Sequence, residues 1–205
     1  MSETTSTSRL EAFCDGVFAI AITLLIIDIK IPSTEKIDST ADFVQALKHV
    51  APSIFAFVLS FIILITWVNH HNALRLGNKI SSLFIYANGF LLLTVVFMAF
   101  PSCLVGEHIL TDHAGPAVVL YDSTMALQAA GWILITQAAL KGHLGKSENA
   151  TLQIRRNGQF GFFAFALYSL LAMLAIWFPF IIAVVTTITW LFWLVWGIRL
   201  KHINI

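Results

Sequence analysis

Six stretches of this chain, 10–31, 50–69, 80–104, 117–140, 160–178 and 180–198, are apolar almost throughout, each close to the roughly 20 residues a helix needs to cross the hydrocarbon core of a bilayer. Of the 205 residues, 58% are hydrophobic and 11% are charged. A water-soluble domain carries roughly 25% charged residues to cover its surface, so most of this surface must face lipid. The 17 Phe and six Trp residues suit that environment and its interfaces. The last two stretches are parted only by WFPF. One helix over 158–198 would be about 60 Å long, twice the bilayer core, so Pro179 predicts a tight hairpin. The expected fold is an all-α membrane protein of six transmembrane helices, one domain over 9–205 behind a disordered tail at 1–8. No loop is long enough to bury a soluble core.

Lys and Arg set the orientation. Arg9, Arg75, Lys79, Lys141, Lys146, Arg155, Arg156, Arg199 and Lys201 fall on one side of the six spans, and only Lys30, Lys36 and Lys48 on the other. Both termini are therefore expected in the cytoplasm, with a polar N-terminus that does not read as a secretory signal. A formal net charge of +1 gives no electrostatic case for nucleic acid. The two cysteines, Cys14 and Cys103, lie within or beside apolar stretches and do not suggest a disulfide framework.

The first span, RLEAFCDGVFAIAITLLIIDIKIP at 9–32, places Arg9, Glu11 and Asp15 at the front of an otherwise apolar run. At 100° per residue, Ile20, Thr23, Leu24 and Ile27 share an arc of about 100°, which Gly16, Phe13 and Arg9 extend. Glu11, Asp15, Phe18, Ile22, Ile26 and Ile29 take the opposite face. Asp15 sits about 7 Å into the helix, at the level of TWVNHH in the second span. A carboxylate at that depth is costly unless paired. A structural polar cluster of Arg9, Cys14, Asp15, Trp67, Asn69, His70 and His71 is expected, locking the first span to its neighbours and leaving its Ile20 face free.

RLEAFCDG followed by GVFAIAITLL resembles the Arg-x-x-x-Phe-Ser-Asp motif of the transmembrane protein 175 family, the endosomal and lysosomal potassium channels and their prokaryotic relatives. Arg9, Phe13 and Asp15 match; Cys14 stands where the family has serine, and a thiol is the weaker donor and acceptor. The resemblance implies a single-repeat prokaryotic member in a cell membrane: a homotetramer whose first helices line a central pore, passing potassium and other monovalent cations such as sodium, without cofactor. It implies rings of apolar side chains at Ile20, Leu24 and Ile27 as the constriction, and Thr23 as the residue tied to potassium preference. No TVGYG filter occurs. Asp28, at the edge of the pore arc, and the acidic outer loops are candidates for concentrating cations. Partners are then further copies of the chain, lipid and the permeant cation.

Other readings weigh less. His70 and His71 are adjacent and do not face one another on a helix, so no metal site is expected there. His108, Asp112 and His113 form only a weak outer-loop candidate. Asn88, Asp122 and Gln128 are polar groups at membrane depth, expected to be satisfied within the subunit. No Gly-x-Ser-x-Gly or His-Glu-x-x-His motif occurs, so catalytic residues are not assigned. The alternative function is a secondary transporter of a small cation or solute. Such proteins carry helices broken at mid-membrane, whereas the five prolines here fall near predicted span ends.

Overall fold

The computed structural model describes residues 4–29 and 37–202, with the side chains of 4–6, 24, 25, 28 and 199–202 also outside that description. The architecture is all helical: α1 (Thr4–Leu24), α2 (Thr40–Leu59), α3 (Phe61–Leu74), α4 (Ser82–Phe97), α5 (Ala99–His108), α6 (Ala114–Lys141), α7 (Glu148–Leu174) and α8 (Pro179–His202). Five helical stretches are long and apolar enough to cross a membrane: Thr40–Leu74, Ser82–His108, Ala114–Lys141, Glu148–Leu174 and Pro179–Ile198. The sixth expected span, α1, carries Arg9, Glu11 and Asp15 in its first half. It ends as an α-helix at Leu24 and continues as a 3-10 turn, Leu25–Asp28.

Helix starts follow side-chain caps more closely than hydropathy. Ser39 accepts a hydrogen bond from the Asp42 amide, so α2 begins ten residues before the apolar stretch at 50. Ser147 likewise accepts from the Ala150 amide. Glu148 therefore opens α7, and Arg155 and Arg156 ride on the helix rather than in a loop. At the other end α1 reaches back to Thr4, into the segment expected as a tail, because a helix nucleated further along extends at little cost. Ser81 caps α4 through the Phe84 amide at 3.2 Å. Ser81→Ala is expected to cost about 1 kcal/mol, measurable as a lowered unfolding midpoint in detergent.

The second and third spans are each bent. At Ser60 the hydroxyl donates to the Phe57 carbonyl at 2.5 Å, a back-bond that bends helices. At Met98 the cause is Pro101, which has no N–H for the Phe97 carbonyl and crowds it. Pro52 lies inside α2 and Pro101 in the first turn of α5, so two prolines sit within helices rather than at span ends. The backbone stays right-handed at both bends, with φ −72° and ψ −7° at Ser60 and φ −56° and ψ −28° at Met98. These are kinks, not unwound segments. Pro179 does open a hairpin, with α7 ending at Leu174 and α8 beginning at the proline.

The core centres on α6. Of its apolar window 56% is buried, against 22% for α8, which places α8 at the periphery. Small residues permit that packing: Gly158 and Gly161 of α7 bring the helix so close that an added methyl would stand 3.1 Å from Thr136 and Ile133 of α6. At one end of the bundle two short loops are stitched together, Asn78 donating to the Leu144 carbonyl and Lys146 to that of Leu76. Thr7, Gly77, Lys79, Leu144 and Asn157 line one cleft there. Asn72 donates to the Gly197 carbonyl. The start of α1 and the end of α8 therefore lie at the same end as the Lys- and Arg-rich loops.

Candidate functional site: the anchored first helix

One face of α1 is packed. Leu10, Cys14, Phe18 and Ala21 recur at helical spacing and are buried, with Cys14 and Phe18 fully so. The Phe18 ring lies 5.3 Å from that of His70. Cys14 thus serves as a small apolar side chain in the interface with α3 and α4.

Two polar ties reinforce this face. Trp67 Nε1 donates to Asp15 Oδ1 at 2.8 Å. His71 Nδ1 lies 3.3 Å from Glu11 Oε1, an ion-pair distance without an aligned hydrogen bond. The rings of Trp67 and His71 stand 5.9 Å apart. Residues 67 and 71 are one turn apart on α3, and 11 and 15 one turn apart on α1, so two adjacent turns are latched. Glu11, Asp15 and His71 bring three ligand-type atoms within 4.8 Å of one another. Trp67 holds one of the two carboxylates, and His71 faces the other.

His70 points elsewhere. Its Nε2 is 2.8 Å from Asn88 Oδ1, and the Asn88 amide donates to the Phe84 carbonyl. That chain ties α3 to α4 behind Phe18. Gln128 of α6 donates to Thr66 at 2.7 Å, and Thr186 of α8 to Asp122 at 2.8 Å. Asn88 and Gln128 are bound within the subunit, and Asp122 through Oδ1, while its buried Oδ2 has no partner among the described residues.

Four expected members of the cluster therefore stand outside the latch: Cys14 packs as an apolar side chain, His70 pairs with Asn88, and Asn69 and Arg9 also lie apart from it. Asn69 donates to the carbonyls of Ile65 and, on α8, Trp193; it lies two residues from Trp67, and a helix turns about 200° in two residues, so it faces away from α1. Arg9 is exposed, and among the described residues no bond joins it to Asp15 or the histidines. Glu11 takes part instead; its position four residues before Asp15 was the available signal.

The opposite face of α1 is bare. Phe13 is 62% exposed and Ile20 58%; Ile27, in the 3-10 turn beyond the helix, is 68% exposed. Ile26, expected on the face opposite Ile20, is also exposed; it lies in the 3-10 turn that follows Leu24, where the backbone advances about 120° per residue. The same change removes the basis for placing Asp28 on the wheel. The side chains of Leu24 and Asp28 lie outside the described residues. Thr23 is exposed, and its hydroxyl donates to the Ala19 carbonyl at 2.8 Å. With its hydrogen engaged along the helix, the oxygen presents lone pairs outward.

A family model described as the endosomal/lysosomal potassium channel TMEM175 matches residues 9–99, covering α1 to the start of α5. A protein of Chamaesiphon minutus named a potassium channel is 45% identical over 120 residues, 58% of this chain and 59% of that one. Another so named, from Streptomyces collinus, is 38% identical over 133 residues, 62% and 63% of the two chains. The aligned part thus spans under two thirds of either relative. The crystal structure of a lysosomal potassium-selective channel TMEM175 homolog from Chamaesiphon minutus matches with a TM-score of 0.66 and 33% identity, covering 91% of this chain and 98% of that one.

Proposed function

Because this chain belongs to the TMEM175 family of potassium channels, we propose that it is a potassium-permeable cation channel, in which α1 from four copies surrounds a pore. The observation that carries this reading is the two-sidedness of α1. One face is latched to α3 by Asp15–Trp67 and Glu11–His71, while the other leaves Phe13, Ile20 and Ile27 bare on the single subunit. A fixed helix with an unpartnered apolar stripe suits a constriction made by symmetry mates.

In such a pore Ile20 forms the first ring and Ile27 a deeper one, with Leu24 between them in sequence. Rings of this kind close by expelling water, since a cation does not shed its hydration shell against hydrocarbon. Thr23 supplies oxygen lone pairs beside them, which favours modest selectivity for potassium over sodium. Asp28, beyond the constriction, would attract cations. The bundle end that gathers the Lys and Arg loops faces the cytoplasm by the positive-inside rule, with both termini there, in the cell membrane. The chemistry is permeation, with no catalytic step and no cofactor.

The bends at Ser60 and Met98 are the feature a secondary transporter would share. Their backbone stays right-handed helical and only the Phe97 carbonyl loses its partner, to Pro101; they are not the unwound segments that hold a substrate in transporters, which favours the channel. The test is purified protein in planar bilayers under asymmetric potassium and sodium. Unitary currents are expected; saturable flux without unitary steps would show a transporter. Ile20→Asn, which wets the first ring, is expected to raise basal potassium leak several-fold in liposome flux. An unchanged leak removes Ile20 from the constriction.

A further inference from the structure

On the outer surface of the bundle, Arg156, Phe160 and Phe163 follow one another along one face of α7, at i, i+4 and i+7. Trp196 and Phe192 run antiparallel to them on α8, one turn apart. The Arg156 guanidinium carbon stands 4.9 Å from the Trp196 ring centroid and 6.0 Å from that of Phe160. Phe160 lies 4.2 Å from Trp196 and 5.9 Å from Phe192. Below the guanidinium runs a groove of about 400 Å³, lined by Arg156, Gln159, Phe160, Phe163 and Phe192. Phe163 and Phe192 face outward, 57% and 44% exposed.

The charge is unmatched. Among the described residues the one ion pair is Glu11–His71, and no carboxylate meets Arg156. A guanidinium seated over an indole keeps edge N–H donors free, and its fork binds phosphate oxygens in pairs. Seven residues separate Arg156 from Phe163, about 10 Å along the helix. That distance spans the step from a lipid headgroup to its upper acyl chain, and the groove turns from cationic to aromatic over the same interval.

We propose that this groove binds an anionic phospholipid, its phosphodiester on Arg156 with the Gln159 amide beside it, and one acyl chain lying along Phe160, Phe163 and Phe192. The site is independent of permeation; the orientation proposed above decides only that the inner leaflet supplies the lipid. The test is native mass spectrometry of the full chain in mild detergent, offered phosphatidylglycerol or phosphatidylcholine with identical acyl chains. Phosphatidylglycerol is expected to be retained about fivefold more, the scale of one cationic side chain at an anionic headgroup. Arg156→Gln is expected to abolish that preference, and Arg156→Lys, which keeps the charge and loses the flat fork, to fall between. Arg155→Gln, on the neighbouring face, is expected to preserve it. Phe163→Ala is expected to weaken retention of both lipids without changing their ratio. Equal retention of the two lipids by the unaltered chain, a preference that survives Arg156→Gln, or retention indifferent to Phe163→Ala overturns the site.

Discussion

Trp67→Phe is expected to destabilise the protein by about 2 kcal/mol, seen as a lower thermal midpoint in detergent and, if α1 carries the constriction, as altered basal flux. The substitution keeps an aromatic ring against His71, deletes the N–H that Asp15 accepts at 2.8 Å and trims the indole to a smaller ring that packs against the core less fully. Neutral side-chain hydrogen bonds between membrane helices average only about 0.6 kcal/mol. A carboxylate acceptor raises the value to about 1.5–3 kcal/mol, because its partial burial is left uncompensated when the donor goes. The second tie is weaker. His71 and Glu11 are 34% and 31% exposed and 3.3 Å apart, so their pairing is screened, and His71→Ala should cost under about 1 kcal/mol. A double-mutant cycle with Asp15→Asn separates the Trp67–Asp15 interaction from ring packing, with a coupling of about 1 kcal/mol expected. A Trp67→Phe protein as stable as the parent would mean that burial of Cys14 and Phe18, not the latch, fixes α1.

The contrast between those two ties explains what could be read from residues alone. Depth along the chain was sufficient to bring Asp15 to the level of TWVNHH, and Trp67 does meet it. Depth was not sufficient to choose among neighbours on α3. Successive residues point about 100° apart, which sends Trp67 and His71 toward α1, His70 toward Asn88 on α4, and Asn69 toward the Trp193 carbonyl on α8. Helical phase applied to α3 as well as α1 excludes Asn69 and His70 and admits Glu11. The bare Ile20 face was legible because hydrophobic phase is strict within an α-helix. The 3-10 turn after Leu24 was not legible, because nothing in LLIID announces that change of geometry. Helix starts at Thr40 and Glu148 were missed for a related reason: Ser39 and Ser147 act through local hydrogen bonds, which average hydropathy does not register. The kink at Met98 was hidden by uniformly apolar flanks, although Pro101 four residues after Phe97 was its available mark.

Glycine offers the sharper test of packing, because two glycines on the two halves of one span should respond with opposite signs. An added methyl at Gly106 of α5 would stand 2.5 Å from the Pro52 carbonyl oxygen and 2.9 Å from the Ala56 β-carbon of α2. Both are fixed by the backbone, so neither can swing aside, and α2 and α5 must separate. Helix propensity favours alanine over glycine by about 1 kcal/mol, whereas overpacking costs about 1–3 kcal/mol. Gly106→Ala should therefore be mildly destabilising, and Gly106→Val, which adds two further carbons against the same wall, should cost about 3 kcal/mol or more and lower the yield of folded protein. Gly89 of α4 has nothing within 4 Å of the added carbon, so Gly89→Ala should gain most of the propensity term and raise the midpoint. The two outcomes decide between physical accounts of the half of the bundle where α2 meets α5. If Gly106→Val unfolds at the parent's midpoint, the α2–α5 pair is loosely held and the Pro101 bend does not serve close packing. A loss at Gly106 alongside a gain at Gly89 would show that the bend swings α5 onto α2 at the one point where only a glycine permits the approach.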